Sequence, residues 1–299
     1  MERRIFAYLS NTIRRLGKTH CFKGKQFSDA AIVITYLWAV LWDRPTSWAC
    51  RKENWPESLD LERLPSASTM SRRLRCLGVL SLIEQAQSAL SELFPSGLCK
   101  LIDSKPLAVS TYSKDRDARV GHGAGFPAKG YKLHAIVDAG SRMPRQWILA
   151  PMNRHDAAIG AELIRLMPEA QAAYLVADNA YDSNNLYDLA ADKTCQLLAP
   201  RRPSAKELGR HRHSVHRVAG HERLANPLKC TGQSQGFGNA MLGYRIGIEQ
   251  SFGYMGNIAP GLKGLPNWVR RPRRVALWIA GKLLIVAATR LLKNDLRKS

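Results

Sequence analysis

Residues 172–183 read Ala172-Ala173-Tyr174-Leu175-Val176-Ala177-Asp178-Asn179-Ala180-Tyr181-Asp182-Ser183. The apolar run 173–177 predicts a short strand that stops at a carboxylate, Asp178, followed by the turn-prone Asn179 and a helix starting near Ser183. In open α/β sheets ligands sit beyond the carboxyl ends of strands, where side chains face a crevice, so an acid delivered there marks a candidate site edge. The pattern recurs upstream, where Leu98-Cys99-Lys100-Leu101-Ile102 runs into Asp103 and then Ser104-Lys105-Pro106. Two strands ending in Asp point to one site. Asp after an apolar strand is also a common cap or turn residue, so a third acid in a different setting carries weight. That acid is Glu249, in Tyr244-Arg245-Ile246-Gly247-Ile248-Glu249-Gln250-Ser251-Phe252-Gly253. Helical spacing sets Tyr244, Ile248 and Phe252 along one side and Arg245 one turn before Glu249. The same Arg–Glu spacing also describes a surface ion pair.

The 299 residues suffice for a good core and two domains. Forty-five Lys and Arg against 24 Asp and Glu give a formal charge of +21, and the sequence pI is near 10.1. Such an excess points to a polyanionic partner. The apolar run 30–42 is too short to span a bilayer, and 275–292 is interrupted by Lys282 and Arg290, so both read as buried core helices and no membrane is expected. The N-terminus lacks the continuous apolar stretch of a secretory signal, which places the protein in the cytoplasm or on the nucleoid. Cys21, Cys50, Cys76, Cys99, Cys195 and Cys230 form no CxxC pair and read as reduced thiols.

Residues 1–95 read as a helical domain. Ser28-Asp29 caps an apolar helix over 27–42, and a short helix over 46–55 ends at Pro56. Another starts near Ser66 or Ser68. Two short helices with a basic second member resemble a helix-turn-helix, with Ser71, Arg72, Arg73 and Arg75 facing DNA; a solvated basic face on a packing helix has the same pattern. From Cys99 strands alternate with helices. A strand over 131–138 pairs with one over 146–149, and a helix over 155–167, the strand ending at Asp178, a helix over 183–191 and a strand over 195–199 follow, which argues for a mixed sheet. Residues 201–243 are a basic segment rich in Arg, Lys, His and Gly. Its cluster Arg210-His211-Arg212-His213, with His216 and His221, fits no standard zinc spacing and reads as a loop lying on nucleic acid.

The segments Ile102-Asp103-Ser104-Lys105-Pro106-Leu107, Lys129-Gly130-Tyr131-Lys132-Leu133-His134, Ala177 to Ser183, and Tyr244-Arg245 with Glu249 occur together in one order. In this combination the chain resembles the DDE transposases of bacterial insertion sequences, from about residue 40 onward. The resemblance implies a ribonuclease-H-like catalytic domain over 96–299, an α/β mixed sheet with flanking helices, beside an N-terminal all-helical DNA-binding domain. In it Asp103 ends the first strand, Asp178 the fourth, and Glu249 lies on a late helix, after a basic insertion over 201–243. Three features depart from the family pattern: Asn179-Ala180 replaces a usual Gly, Gly256 stands where a Lys often follows the Glu, and Tyr244 directly abuts Arg245.

The implied activity is metal-dependent cleavage of DNA at the element's ends followed by strand transfer. Phosphodiester hydrolysis and transesterification need an activated oxygen nucleophile and a stabilised leaving oxygen, which two divalent ions about 4 Å apart provide. Hard Mg²⁺, with Mn²⁺ able to substitute, prefers carboxylate oxygens. Asp103 would bridge both ions, with Asp178 and Glu249 holding one each, while Lys105, Lys129, Lys132, His134, Tyr244 and Arg245 would contact DNA. Asp138 belongs at the far edge of the sheet, and Asp156 and Asp182 read as caps. The implied partners are double-stranded DNA, both terminal inverted repeats and target, and a second copy of the chain on that DNA. A nuclease that cuts without joining and a catalytically inactive, repurposed DNA-binding protein are the alternative readings. An intact acid triad argues against the last, because buried like charges repel without metal.

Overall fold

The computed structural model describes residues 1–17, 26–57, 63–123, 125–201, 213–226, 236–257, 262 and 264–296. In chain order the first helices are α1 (Glu2–Gly17), α2 (Asp29–Leu41), α3 (Thr46–Ala49), α4 (Ala67–Arg73) and α5 (Leu77–Glu92). Then come β1 (Cys99–Ala108), β2 (Arg119–His122), β3 (Pro127–Asp138), β4 (Pro144–Pro151), α6 (Asp156–Leu166), β5 (Tyr174–Val176), α7 (Asn184–Asp192) and β6 (Gln196–Leu198). The chain closes with α8 (Val215–Ala225), α9 (Phe237–Gly243), α10 (Ile246–Asn257) and α11 (Pro272–Asp295). Two compact units result, Met1–Leu93 with Met255–Ser299, and Phe94–Tyr254. The sequence reading put 272–295 with the strands; α11 instead belongs with the N-terminal helices.

In the first unit α2 is apolar all round and buried along nearly its whole length. Ser28 caps it by accepting from Ala31 N at 3.1 Å, as its sequence suggested. By length and composition α11 could cross a bilayer, but Val275 and the run from Leu277 to Thr289 are buried against protein. Gly281 permits the close approach to α2, since a Cβ there would lie 3.2 Å from Val40. The buried Lys282 donates to Val40 O at 3.0 Å and pairs with Asp43. The segment expected as one helix over 46–55 is α3 followed by a 3-10 turn, Lys52–Asn54. Of the four residues expected to face DNA, Ser71, Arg72 and Arg75 are exposed and Arg73 is not. The Arg73 guanidinium pairs with Asp29 and donates to Phe27 O at 2.9 Å. It fastens α4 to α2 and is corrected here to a structural residue.

The second unit is a mixed sheet. β3 runs antiparallel to β1 from Lys100↔Asp138 to Ala108↔Gly130. The other side of β3 pairs with β4 over Tyr131–Val137 and with β2 over Pro127–Gly130. On the far side of β1, β5 and then β6 are parallel. The expected strands are all present; β2 is an additional one, so Asp178 follows the fifth strand rather than the fourth. Helices α6 and α7 connect the parallel strands, as parallel pairing requires. Ile102, Ile136, Leu163, Ile164, Leu175 and Leu197 form the core with Tyr181 and Tyr187. Gly160 on α6 leaves room for the Tyr181 ring, which a Cβ would meet at 2.8 Å.

Asp138 lies at the end of β3 away from Asp103, as its strand direction implied, and is buried with Lys100. Lys100 Nζ donates to Asp138 Oδ2 at 2.7 Å, to Ser96 Oγ at 2.7 Å and to Gly97 O at 2.8 Å. Burial opposes the charge on Asp138, but bonds from Lys100, Ser141 and Gly97 outweigh it and hold the carboxyl below its ordinary range. Its stabilisation is therefore complete above about pH 4 and is lost as pH falls through the folded value. We expect Asp138→Ala, which strands the Lys100 ammonium, to cost about 3–5 kcal/mol in urea unfolding. A variant within about 1 kcal/mol of wild type would show that the pair is not a stabilising element.

Candidate active site

The last pair between β1 and β5 is Leu101↔Val176. Asp103 and Asp178 are each two residues further along, so continuation of this parallel register sets the two acids side by side. Asp103 does not end its strand, as the sequence suggested. It lies in the middle of β1, which continues through Ser104-Lys105-Pro106 because β3 pairs with it as far as Ala108. Asp178 does follow the end of β5. Its Oδ1 accepts from Ala180 N at 2.9 Å, capping the 3-10 turn Asn179–Tyr181.

Asp103 Oδ1 accepts from its neighbour Ser104 N at 2.7 Å. Burial pushes the Asp103 carboxyl up to about 6, and repulsion from Asp178 and Asp156 adds to this; the Ser104 N–H and the Arg245 guanidinium act against it. The folded chain thus holds this proton more tightly than the unfolded chain. Stability is lost as pH rises through about 4 to 6 and the carboxylate forms. Tyr181 is buried behind the pair. Its hydroxyl is driven far above its ordinary range by burial and by the three carboxylates Asp103, Asp156 and Asp178, and it has no hydrogen-bond partner among the described residues.

Arg245, at the junction of α9 and α10, reaches Asp103 electrostatically. A Cβ on Gly247 would lie 3.2 Å from Leu101 Cδ1, which places the start of α10 over β1. Glu249 is exposed on α10, while Ile248, Ser251 and Phe252 on that helix are buried. The structure therefore brings together Asp103, Asp178 and Arg245. Glu249 lies one turn from Arg245, and among the described residues no group of three or more His, Cys, Asp or Glu side chains is gathered closely enough to hold a metal ion. Tyr244 is exposed, and Lys105 is half-buried with its ammonium lowered by that burial.

Lys132 and His134 were expected to meet DNA, and this is corrected: both are buried. Alternation along β3 turns them toward α6, where Lys132 Nζ lies 3.0 and 3.2 Å from the two oxygens of Asp156. His134 is pushed down to about 4 by burial and by Lys132, against the pull of Asp156, so it is neutral at pH 7. Ser104 Oγ also donates to Asp156, at 3.1 Å. Asp156 is thus the anchor of a network directly behind the strand segment that presents Asp103, not merely a helix-start acid. Lys129 is half-buried and donates to Ser113 O at 2.6 Å.

Asp182 is likewise more than a cap. Arg217 on α8 grips it with two bonds of 2.8 and 2.7 Å, and His221 Nε2 lies 3.0 Å from its Oδ1. Burial works against ionisation of Asp182, but His221 and Arg217 hold it below its ordinary range. Part of the basic segment 201–243 is therefore a helix clamped four residues from Asp178. Of its histidine cluster, residues 211 and 212 and Arg210 lie outside the described residues, as do Cys21 and Cys230.

The chain belongs to the family described as Transposase DDE domain, whose model matches residues 96–286. Such transposases generally use divalent metal ions. Among solved structures the chain is similar to the piggyBac transposase in a synaptic complex with hairpin DNA, with a TM-score of 0.48 and 12% identity over 95% of this chain and 71% of that one. No curated protein matches it.

Asp178→Asn removes an anion beside Asp103. Carboxyl carbon NMR should show the Asp103 titration moving down from about 6, since like-charge repulsion is relieved. An unchanged midpoint would mean that the two carboxylates do not share a site.

Proposed function

We propose that this chain is an insertion-sequence transposase that cleaves DNA at its element's ends and transfers the freed strand to a target. The observation that carries the reading is the Asp103–Asp178 pair, side by side at a sheet edge, in a chain of the DDE transposase family. The strand order, with three antiparallel strands and two parallel ones beyond β1, supports a ribonuclease-H-like description of the catalytic unit.

In this reading Asp103 and Asp178 would hold Mg²⁺ or Mn²⁺, with Glu249 as the third carboxylate. Their donor set fits, because hard ions prefer carboxylate oxygens and a juxtaposed acid pair is relieved by a cation. Bound divalent ions would activate the attacking oxygen and stabilise the leaving one. The chain's own groups orient and exclude. Ser104 N–H and the Ala180 N–H fix one oxygen of each acid, Tyr181 closes the floor to water, and Arg245 supplies positive charge where phosphate would lie. Exposed Ser71, Arg72 and Arg75 on and beside α4 serve the N-terminal DNA-binding role. Pairing of two element ends calls for at least a homodimer on DNA.

The test is cleavage of a labelled duplex carrying the element's own end, with Mg²⁺, Mn²⁺ or EDTA. Asp103→Asn and Asp178→Asn should each lower metal-dependent nicking by about 10²- to 10³-fold, the scale on which loss of one preorganised electrostatic group acts. Affinity for the duplex should be kept. Glu249→Gln should do the same if that acid is the third ligand. Binding without cleavage by wild type would instead make the protein a repurposed DNA-binding protein.

A further inference from the structure

Between β1 and β3 the chain leaves the core as an arm, residues 109–126, which the proposed DNA contacts do not include. Its large apolar side chains face solvent: Tyr112 is 93%, Phe126 65% and Val120 62% exposed. Lys114, Arg116, Arg119 and His122 are exposed in the same segment, whereas the acids of the arm are drawn inward, Asp115 buried and Asp117 half-buried. The exposed side chains of the arm therefore include cations and aromatic rings but no exposed acid.

This display is set by fixed backbone. Ser113 N donates to Ser110 O at 2.8 Å, and Lys129 Nζ donates to Ser113 O. Buried Asp115 accepts from Tyr131 Oη at 2.9 Å and from Asp117 N at 3.1 Å. β2 lies so close to its neighbours that a Cβ on Gly121 would meet Met152 O at 2.3 Å. Tyr112, Val120 and Phe126 stay exposed although burial of each would be favourable.

We propose that this arm is a DNA-contacting surface, on which bases unstacked near the cleaved end rest against Tyr112 and Phe126 while Arg116 and Arg119 hold the flanking phosphates. This rests on the transposase reading and extends it. Aromatic faces accept any base, and neighbouring cations follow the backbone. Three cations, Lys114, Arg116 and Arg119, beside acids drawn inward favour a polyanionic occupant. The location fits as well. Asp103 to Ala108 is five residues of strand, about 17 Å, which puts the base of the arm within reach of a duplex held at the paired acids.

The test uses the full chain and two fluorescent duplexes of one sequence, one blunt and one with four unpaired nucleotides at its end. Wild type should bind the unpaired-end probe more tightly. The double variant Tyr112→Ala/Phe126→Ala should lose about tenfold or more on that probe, little on the blunt one, and keep the wild-type dependence on salt. Arg116→Ala/Arg119→Ala should weaken both probes and reduce the salt slope by about 2. All four positions are exposed, so the melting temperature should stay unchanged. If the aromatic variant binds both probes within twofold of wild type, the proposal is wrong. It is equally wrong if that variant keeps its DNA affinity but dissociates from dimer to monomer in sedimentation, since the arm would then serve a second copy of the chain. Failure of wild type to bind either probe would overturn the transposase reading itself.

Discussion

The candidate site turns on one electrostatic cost: a partly buried carboxyl, Asp103, held next to a second acid, Asp178, at the place where β5 stops and β1 goes on. β1 carries Asp103 past the end of its parallel neighbour, and the Asp178 turn closes the gap. The Ser104 N–H and the Arg245 guanidinium offset that cost only in part, and the Asp103 carboxyl is still pushed up to about 6. Asp103 is partly buried, Tyr181 lies behind, and the one cation near Asp103 is Arg245 among the groups that act on it. A protein that pays this cost without a bound cation gains nothing in stability, and that is why the pair is read as a functional feature.

The scaffold around the pair is stiff on both sides. Behind β1, Asp156 ties Ser104 and Lys132 together, so the residue after Asp103 is anchored through its side chain. Beyond Asp178, Asp182 is gripped by Arg217 and His221 of α8. Outer groups of this kind orient the acids that would meet a ligand, and their loss commonly weakens such sites by 10–100-fold. The two anchors come from separate elements, α6 and α8.

Much of this was legible in the sequence, and the misses have physical causes. Short apolar runs ending in Asp located β1 and β5 and both acids, because a buried parallel strand must be continuously apolar. The extent of β1 was not legible. Pro106 looks like a strand breaker, yet β1 has no β5 partner beyond Leu101 and an edge tolerates Pro. Lys132, His134 and Arg73 were read as DNA contacts since a basic residue in a motif has no visible burial; only the fold supplies Asp156 and Asp29 as their partners. The arm was overlooked for the opposite reason. Its sequence is a plain mixture of Gly, Ser, Arg and Asp, and nothing local reveals that Asp115 turns inward while Tyr112 turns out. Glu249 was legible as an acid at helical spacing, but a helix face is decided by what packs on it, and its neighbours Ile248 and Phe252 are the buried ones.

The most direct test of the acid pair is binding of Mn²⁺ to the DNA-free protein, followed by electron paramagnetic resonance at pH 7.5 and pH 5. The account predicts saturable binding at the higher pH, weakening at pH 5 as Asp103 takes up its proton near 6, and loss in both Asp103→Asn and Asp178→Asn. Binding that is indifferent to pH and to either substitution would contradict it, and would leave the paired aspartates without a role.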